Sequence, residues 1–188
     1  LVNVGFVNGE GRSLKKLEIT GDVGRILAGN ETTGTGSVKV RSLGVLGTAT
    51  QAAGGDLVSM FEGDVAVIDV RTSIKDARIV IDGNVREQIK ADRLEGGAAE
   101  GSGAIAVSGN VKLVGIDHIA GGSGETSGRV SIDGGADKVD VQTVTGGDGE
   151  RSGAITIGNE VGWQMSLAKL AALGKRPAFQ IFGADYPT

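Results

Sequence analysis

Apolar and polar residues alternate in short bursts along this chain, and the bursts recur. "GAIAVSGN" begins at Gly103, "GRVSIDGG" at Gly128 and "GAITIGNE" at Gly153. Their apolar positions are Ile105/Val130/Ile155 and Val107/Ile132/Ile157, each twenty-five residues from the next. Alternation of this kind puts one set of side chains on one face, the mark of a half-buried strand. A second strand follows in each unit, with Val114/Val139, Ile116/Val141 and Ile119/Val144 at the same interval of twenty-five. Upstream, "ARIVIDGN" at 77 supplies Ile79 and Ile81, and Ile89, Ala91 and Leu94 follow it. "LKKLEITGD" supplies Leu17 and Ile19, while "SVKVRSLG" and "LVSMFEGD" are further copies in a less regular register.

Between the strands lie glycine-rich loops: "GGAAEGSG" at 96–103, "GGSGETSG" at 121–128 and "GGDGERSG" at 146–153. A single repeat of this size cannot bury its apolar face, but stacked repeats build one continuous core. The pattern predicts an all-β fold, a parallel β-helix (β-solenoid) of about seven rungs of roughly 19 to 26 residues. Each rung rises about 4.8 Å, which makes a rod of roughly 35 Å. Parallel crossovers are right-handed in nearly all proteins, so a right-handed coil is expected. An antiparallel sandwich with glycine turns is the alternative, but hairpins have no need to repeat a register.

The expected organisation is a single domain. Residues 1–13 form an N-terminal strand or edge, 14–160 the repeat rungs, and 161–188 the last rung and a C-terminal cap. "LVNVGFVN" alternates without the rung pattern and is a strand that pairs with the first rung or with a neighbouring molecule. "MSLAKLAALGK" (165–175) reads as a last rung or as a short capping helix. "RPAFQIFGADYPT" gathers Phe179, Phe182 and Tyr186, which suits a lid over an open core. The chain starts at Leu1 with no signal peptide, as expected of a processed N-terminus or a fragment.

Composition narrows the class. Thirty-four glycines against two prolines, with 39% hydrophobic residues, fit many short strands joined by tight turns. Neither a disordered chain nor collagen has that balance. The net charge of −4 is mixed in sign, so no basic face for nucleic acid is expected. No run is long enough for a membrane-spanning helix. The absence of cysteine excludes disulfides, thiol catalysis and thiolate-bound metals.

Stacking the loops places Glu100, Glu125 and Glu150 in one column and Ser102, Ser127 and Ser152 in another. The serines are expected to satisfy backbone groups at the corner and to bond along the stack. The glutamates repel one another unless water, a basic side chain or a cation lies between them. Calcium takes six to eight oxygen ligands, and Glu100, Glu125 and Glu150 with Asp148 are the candidate calcium column. A solvated acidic edge beside Arg151 is the plainer expectation. The calcium-binding nonapeptide repeat does not fit, because its aspartate position holds Thr126 or Arg151. "GVLGTATQAAGG" (44–55) lacks the lysine–serine end of a phosphate loop. His118 is the only histidine, so a histidine-based metal or catalytic triad within one chain is excluded, and it is read as an outward rung residue. Thr48 and Thr50 form one T-x-T where a flat ice-binding face needs many. Trp163 alone is a weak sugar platform and a better shield for the core's end.

Units of the form G-x-I-x-I-x-G-[DN]-[VL] alternating with GG-x-G-x-x-SG loops resemble those of large secreted or surface-anchored bacterial glycine-rich repeat proteins. The resemblance spans nearly the whole chain and lapses at "AALGKRPAFQIFGADYPT". It implies an extracellular or cell-surface β-solenoid and brings no catalytic residues with it.

Three functions follow as expectations. The first is a non-catalytic structural or adhesive module that self-associates end to end into a filament through its terminal strands. The second is a lyase-like polysaccharide enzyme, with Asp69, Arg71, Asp92 and Arg93 as the charged patch. The third is a polysaccharide- or calcium-binding module of a larger surface protein.

Overall fold

The computed structural model describes residues 1–51 and 55–159 together with the strands Val161–Ala172 and Ala178–Ile181. The early strands are β1 (Val4–Glu10), β2 (Lys16–Gly29), β3 (Thr35–Leu43) and β4 (Val58–Glu62). From there long and short strands alternate: β5 (Val65–Lys75), β6 (Arg78–Asp82), β7 (Val85–Glu95), β8 (Ala104–Val107), β9 (Val111–Ala120), β10 (Arg129–Ile132), β11 (Ala136–Gly146), β12 (Ala154–Ile157), β13 (Val161–Ala172) and β14 (Ala178–Ile181).

All paired strands run parallel, so the sandwich alternative falls. The long strands β3, β5, β7, β9, β11 and β13 stack in one series, and the short strands β4, β6, β8, β10, β12 and β14 in another. β2 joins the two series. Its first half pairs with β3, and its second half with β1 and β4. The result is a β-solenoid of fourteen strands, because each turn of chain lays down a long strand and a short one.

The register follows the repeat. Ile105, Val130 and Ile155 are successive partners across β8, β10 and β12. Val114 pairs with Val139, Ile116 with Val141 and Ile119 with Val144 across β9 and β11. Ile79 and Ile81 lie beside Ile105 and Val107. These side chains are all buried in one continuous core. Full burial of an isoleucine or valine side chain contributes about 1.5–3 kcal/mol, so a repeated aliphatic column is the main source of cohesion. Leu17 and Ile19 are half-buried because they lie in the outermost layer of their stack.

The long strands do not alternate evenly. In β9 the buried residues are Val111, Val114, Ile116 and Ile119, at spacings of three, two and three. Two consecutive residues face outward wherever the spacing is three, which bends the strand around a corner without ending it. At the second such spacing the outward pairs are polar: Asp92–Arg93, Asp117–His118 and Gln142–Thr143. β7 has one residue more between Val85 and Ile89, and its register against β9 shifts over that interval.

A second kind of corner is held by the side-chain oxygens of Asp and Asn. Asp64 Oδ1 accepts the backbone N–H of Asn84 at 2.9 Å, and Asn84 Oδ1 accepts that of Asn110 at 2.9 Å. Asn110 Oδ1 accepts the Gly135 N–H at 2.8 Å. Asp or Asn after glycine in the repeat is thus a ladder up one edge of the coil.

The ends settle two open expectations. "LVNVGFVN" contributes β1, which pairs with β2 inside the chain. Val161–Ala172 is a strand paired with β11, not a helix. Phe179 lies in β14, while Phe182 and Tyr186 fall outside the described residues, so the proposed lid is not described.

Candidate functional site

The glycine-rich loops stack one on another with the same conformation. Gly101, Thr126 and Arg151 occupy the same place at φ of 63°, 54° and 54°. Gly103, Gly128 and Gly153 follow at 55°, 59° and 59°. Only glycine takes this region readily. At Gly128 a side chain is excluded on space as well, since an added Cβ would fall 2.0 Å from the carbonyl oxygen of Ala120.

Each loop is clamped from inside by its serine. Ser127 Oγ donates to the Gly124 carbonyl at 2.7 Å and accepts the Gly122 N–H at 2.9 Å. Ser102 and Ser152 repeat both bonds in their own loops. All three are buried. The expected bonds along the stack come from the backbone instead: Thr126 N–H to Glu150 O, Gly124 N–H to Gly97 O and Gly149 N–H to Gly122 O.

The glutamates stand outside this frame. Glu100, Glu125 and Glu150 are exposed and aligned, and Asp148 is exposed beside them. The partner at Glu125 is basic: Arg151 Nη2 lies 3.1 Å from its Oε1. Both are half-exposed, and such a pair contributes at most about 1 kcal/mol. Among the described residues, no group of three His, Asp or Glu side chains is placed to hold a metal ion.

The charged patch read from sequence is partly assembled. Asp69, Arg71 and Asp92 line one shallow depression on the outer face of the long strands, of about 480 Å³. Lys90, Asp117 and Asp140 line it too, and sequence reading missed them. The signal was present, since Asp69, Lys90, Gly115 and Asp140 are successive register partners. Arg71 leans toward Glu18, 3.6 Å away, and Arg93 lies outside the depression, 3.6 Å from Glu95. The carboxyl of Glu18 is held below the usual carboxylate range, first by the hydrogen bond from Lys16 and then by its charge, with Arg71 adding less.

The remaining sequence candidates are placed elsewhere. His118 Nδ1 lies 2.6 Å from Thr143 Oγ1, its neighbour one turn on, at a polar corner. Thr48 and Thr50 sit in a short 3₁₀ turn (Gly47–Thr50) rather than on a strand face. Trp163 lies in β13.

Among the described residues, the N-terminal end carries the two most exposed large apolar side chains. Leu1 is 82% exposed, Val2 66% and Phe6 43%. The guanidinium of Arg25 covers one face of the Phe6 ring at 5.2 Å and is itself held by Asp56 at 2.9 Å. Among the described residues, β1 pairs with β2 alone, so its other edge is unpaired.

No family model, curated protein or solved structure matches the chain.

Proposed function

We propose that the chain is a non-catalytic structural or adhesive module of the cell exterior that joins copies of itself end to end. The observation that carries this is the edge of β1, which has no strand partner among the described residues and is flanked by exposed Leu1, Val2 and Phe6. A free strand edge is a template for another strand. The edge of β1 in one copy would pair with β14 of the next, and the first half of β2 with β13. Two different ends that join in this way make a contact that propagates without closing. On this reading the strands form about seven right-handed turns, and the C-terminal segment is either a cap or the joint itself.

Lyase-like activity on a polysaccharide is the second candidate, supported by the depression at Asp69, Arg71 and Asp92. It ranks lower because Arg71 and Arg93 each lie close to a glutamate.

Electron microscopy and size-exclusion chromatography over a concentration series test the assembly. The wild type should form filaments. A Val2→Lys, Phe6→Lys double variant should stay monomeric with an unchanged circular dichroism spectrum, since lysine on an edge blocks strand addition. A wild type that is monomeric at every concentration overturns the proposal.

A further inference from the structure

The outer face of the short strands carries a second depression, of about 600 Å³. Arg78 and Arg129 line it, with Ala104 and Ala106 in its floor and Glu100 and Asp133 at its rim. The register explains its shape. Arg78 pairs with Ala104 and Arg129 with Ala154, so arginine and alanine alternate up one outward column. Each small residue leaves room beside a long one. The strands that carry the two arginines are two sheet spacings apart, about 10 Å.

The two guanidiniums are short of negative partners. Among the described residues Arg25, Arg71, Arg93 and Arg151 lie within ion-pair distance of a carboxylate, and Arg12, Arg41 and Arg86 do not. Among the described residues neither Arg78 nor Arg129 does. Arg129 is half-buried, and its only polar anchor among them is a 3.0 Å bond from Nη2 to Thr156 Oγ1. Its Nε is buried with no hydrogen-bond partner, which is a costly state for an N–H. Burial first, and then the charge of Arg151, push the guanidinium below its usual pKa, though Asp133 opposes this. A guanidinium donates in a fixed fork that matches a carboxylate.

We propose that this depression binds an acidic polysaccharide laid along the stack, with Arg78 and Arg129 each taking one uronate carboxylate. The spacing of about 10 Å between their strands suits alternate sugars of an extended chain. Glu100, Asp133 and Ser131 stand where sugar hydroxyls need acceptors, and the alanine floor accepts the apolar face of a ring. The same acidic rim favours a chain with free sugar hydroxyls to donate over duplex DNA, whose phosphodiester backbone has none. This goes beyond end-to-end assembly and stands without it.

Titration calorimetry with polygalacturonate is the test, with dextran as the neutral polymer and duplex DNA as the other polyanion. The wild type should bind polygalacturonate and neither of the others. Arg78→Gln and Arg129→Gln should each raise Kd about tenfold, and the double variant should abolish binding. Ala106→Glu, which fills the depression from a partly exposed position, should abolish binding with the thermal midpoint unchanged. The proposal is overturned by no binding in the wild type, by equal binding in the arginine variants, or by DNA binding of the same strength.

Discussion

The side-chain oxygen of Asn84 accepts the backbone N–H of Asn110, one turn further along the coil, at 2.9 Å. The Asn84 amide also donates to Asp64 Oδ1 at 3.0 Å. One residue thus ties together three successive turns. Asn84→Ala should destabilise the fold by about 1–2 kcal/mol, because the Asn110 N–H loses its acceptor. The urea midpoint of the variant checks this, and a midpoint equal to the wild type's would show that water replaces the ladder at no loss.

Acid should loosen the same ladder. The backbone N–H of Asn84 holds the Asp64 carboxyl below its ordinary pKa, aided by the Asn84 side chain and then by Arg86, against a burial effect that raises it. A carboxyl whose folded pKa is depressed stabilises the fold above its unfolded pKa, near 3.9. That contribution is lost as pH falls through the folded value. Below pH 4 the wild type should therefore lose stability more steeply than Asp64→Asn. Urea midpoints of both chains between pH 2 and 6 measure the difference, and parallel profiles would contradict it.

The serine clamp predicts a contrast within one loop. Ser127 is fully buried and bonds both Gly122 and Gly124, whereas Ser123 is exposed. Ser127→Ala should cost about 1–3 kcal/mol, since it strands the Gly122 N–H. Ser123→Ala should change stability by less than about 0.5 kcal/mol. Thermal or urea unfolding of the two variants side by side is sufficient.

Opposite signs are expected two residues apart. Gly128 sits at φ 59° with no space for a Cβ, so Gly128→Ala should destabilise by more than about 2 kcal/mol. Thr126 sits at φ 54° and carries the strain that Gly101 avoids in the preceding loop. Thr126→Gly should be neutral or stabilise by up to about 1 kcal/mol, the relief of strain outweighing the added freedom of the unfolded chain. Unfolding midpoints decide it, and a marked loss in Thr126→Gly would mean the threonine side chain has a role of its own.

Much of the fold was legible because its core is a periodic aliphatic column. Ile105, Val130 and Ile155 announce their pairing at twenty-five-residue spacing, and the structure pairs them. The serines were legible for the same reason, although their bonds stay within the loop rather than run along the stack. Less could be read where the period breaks. β3 pairs with β2 and β5 through bulged registers, and a long connection separates it from β4, which blurs "SVKVRSLG" and "LVSMFEGD". "MSLAKLAALGK" holds strong helix formers, yet Met165 and Leu167 fall in register with Val139 and Val141 on a waiting strand. Strand pairing overrides local propensity there.

The sequence by itself determined the stack: repeated apolar positions at a constant interval can be buried only by laying one turn on the next. Only the tertiary structure decided what the outside presents. Outward residues obey no apolar rule, so their meaning depends on which turn faces which, and on where a strand bends. The pairing of Arg151 with Glu125 and the approach of Arg71 to Glu18 arise only once distant segments share an edge or a face. So does the depression between Arg78 and Arg129.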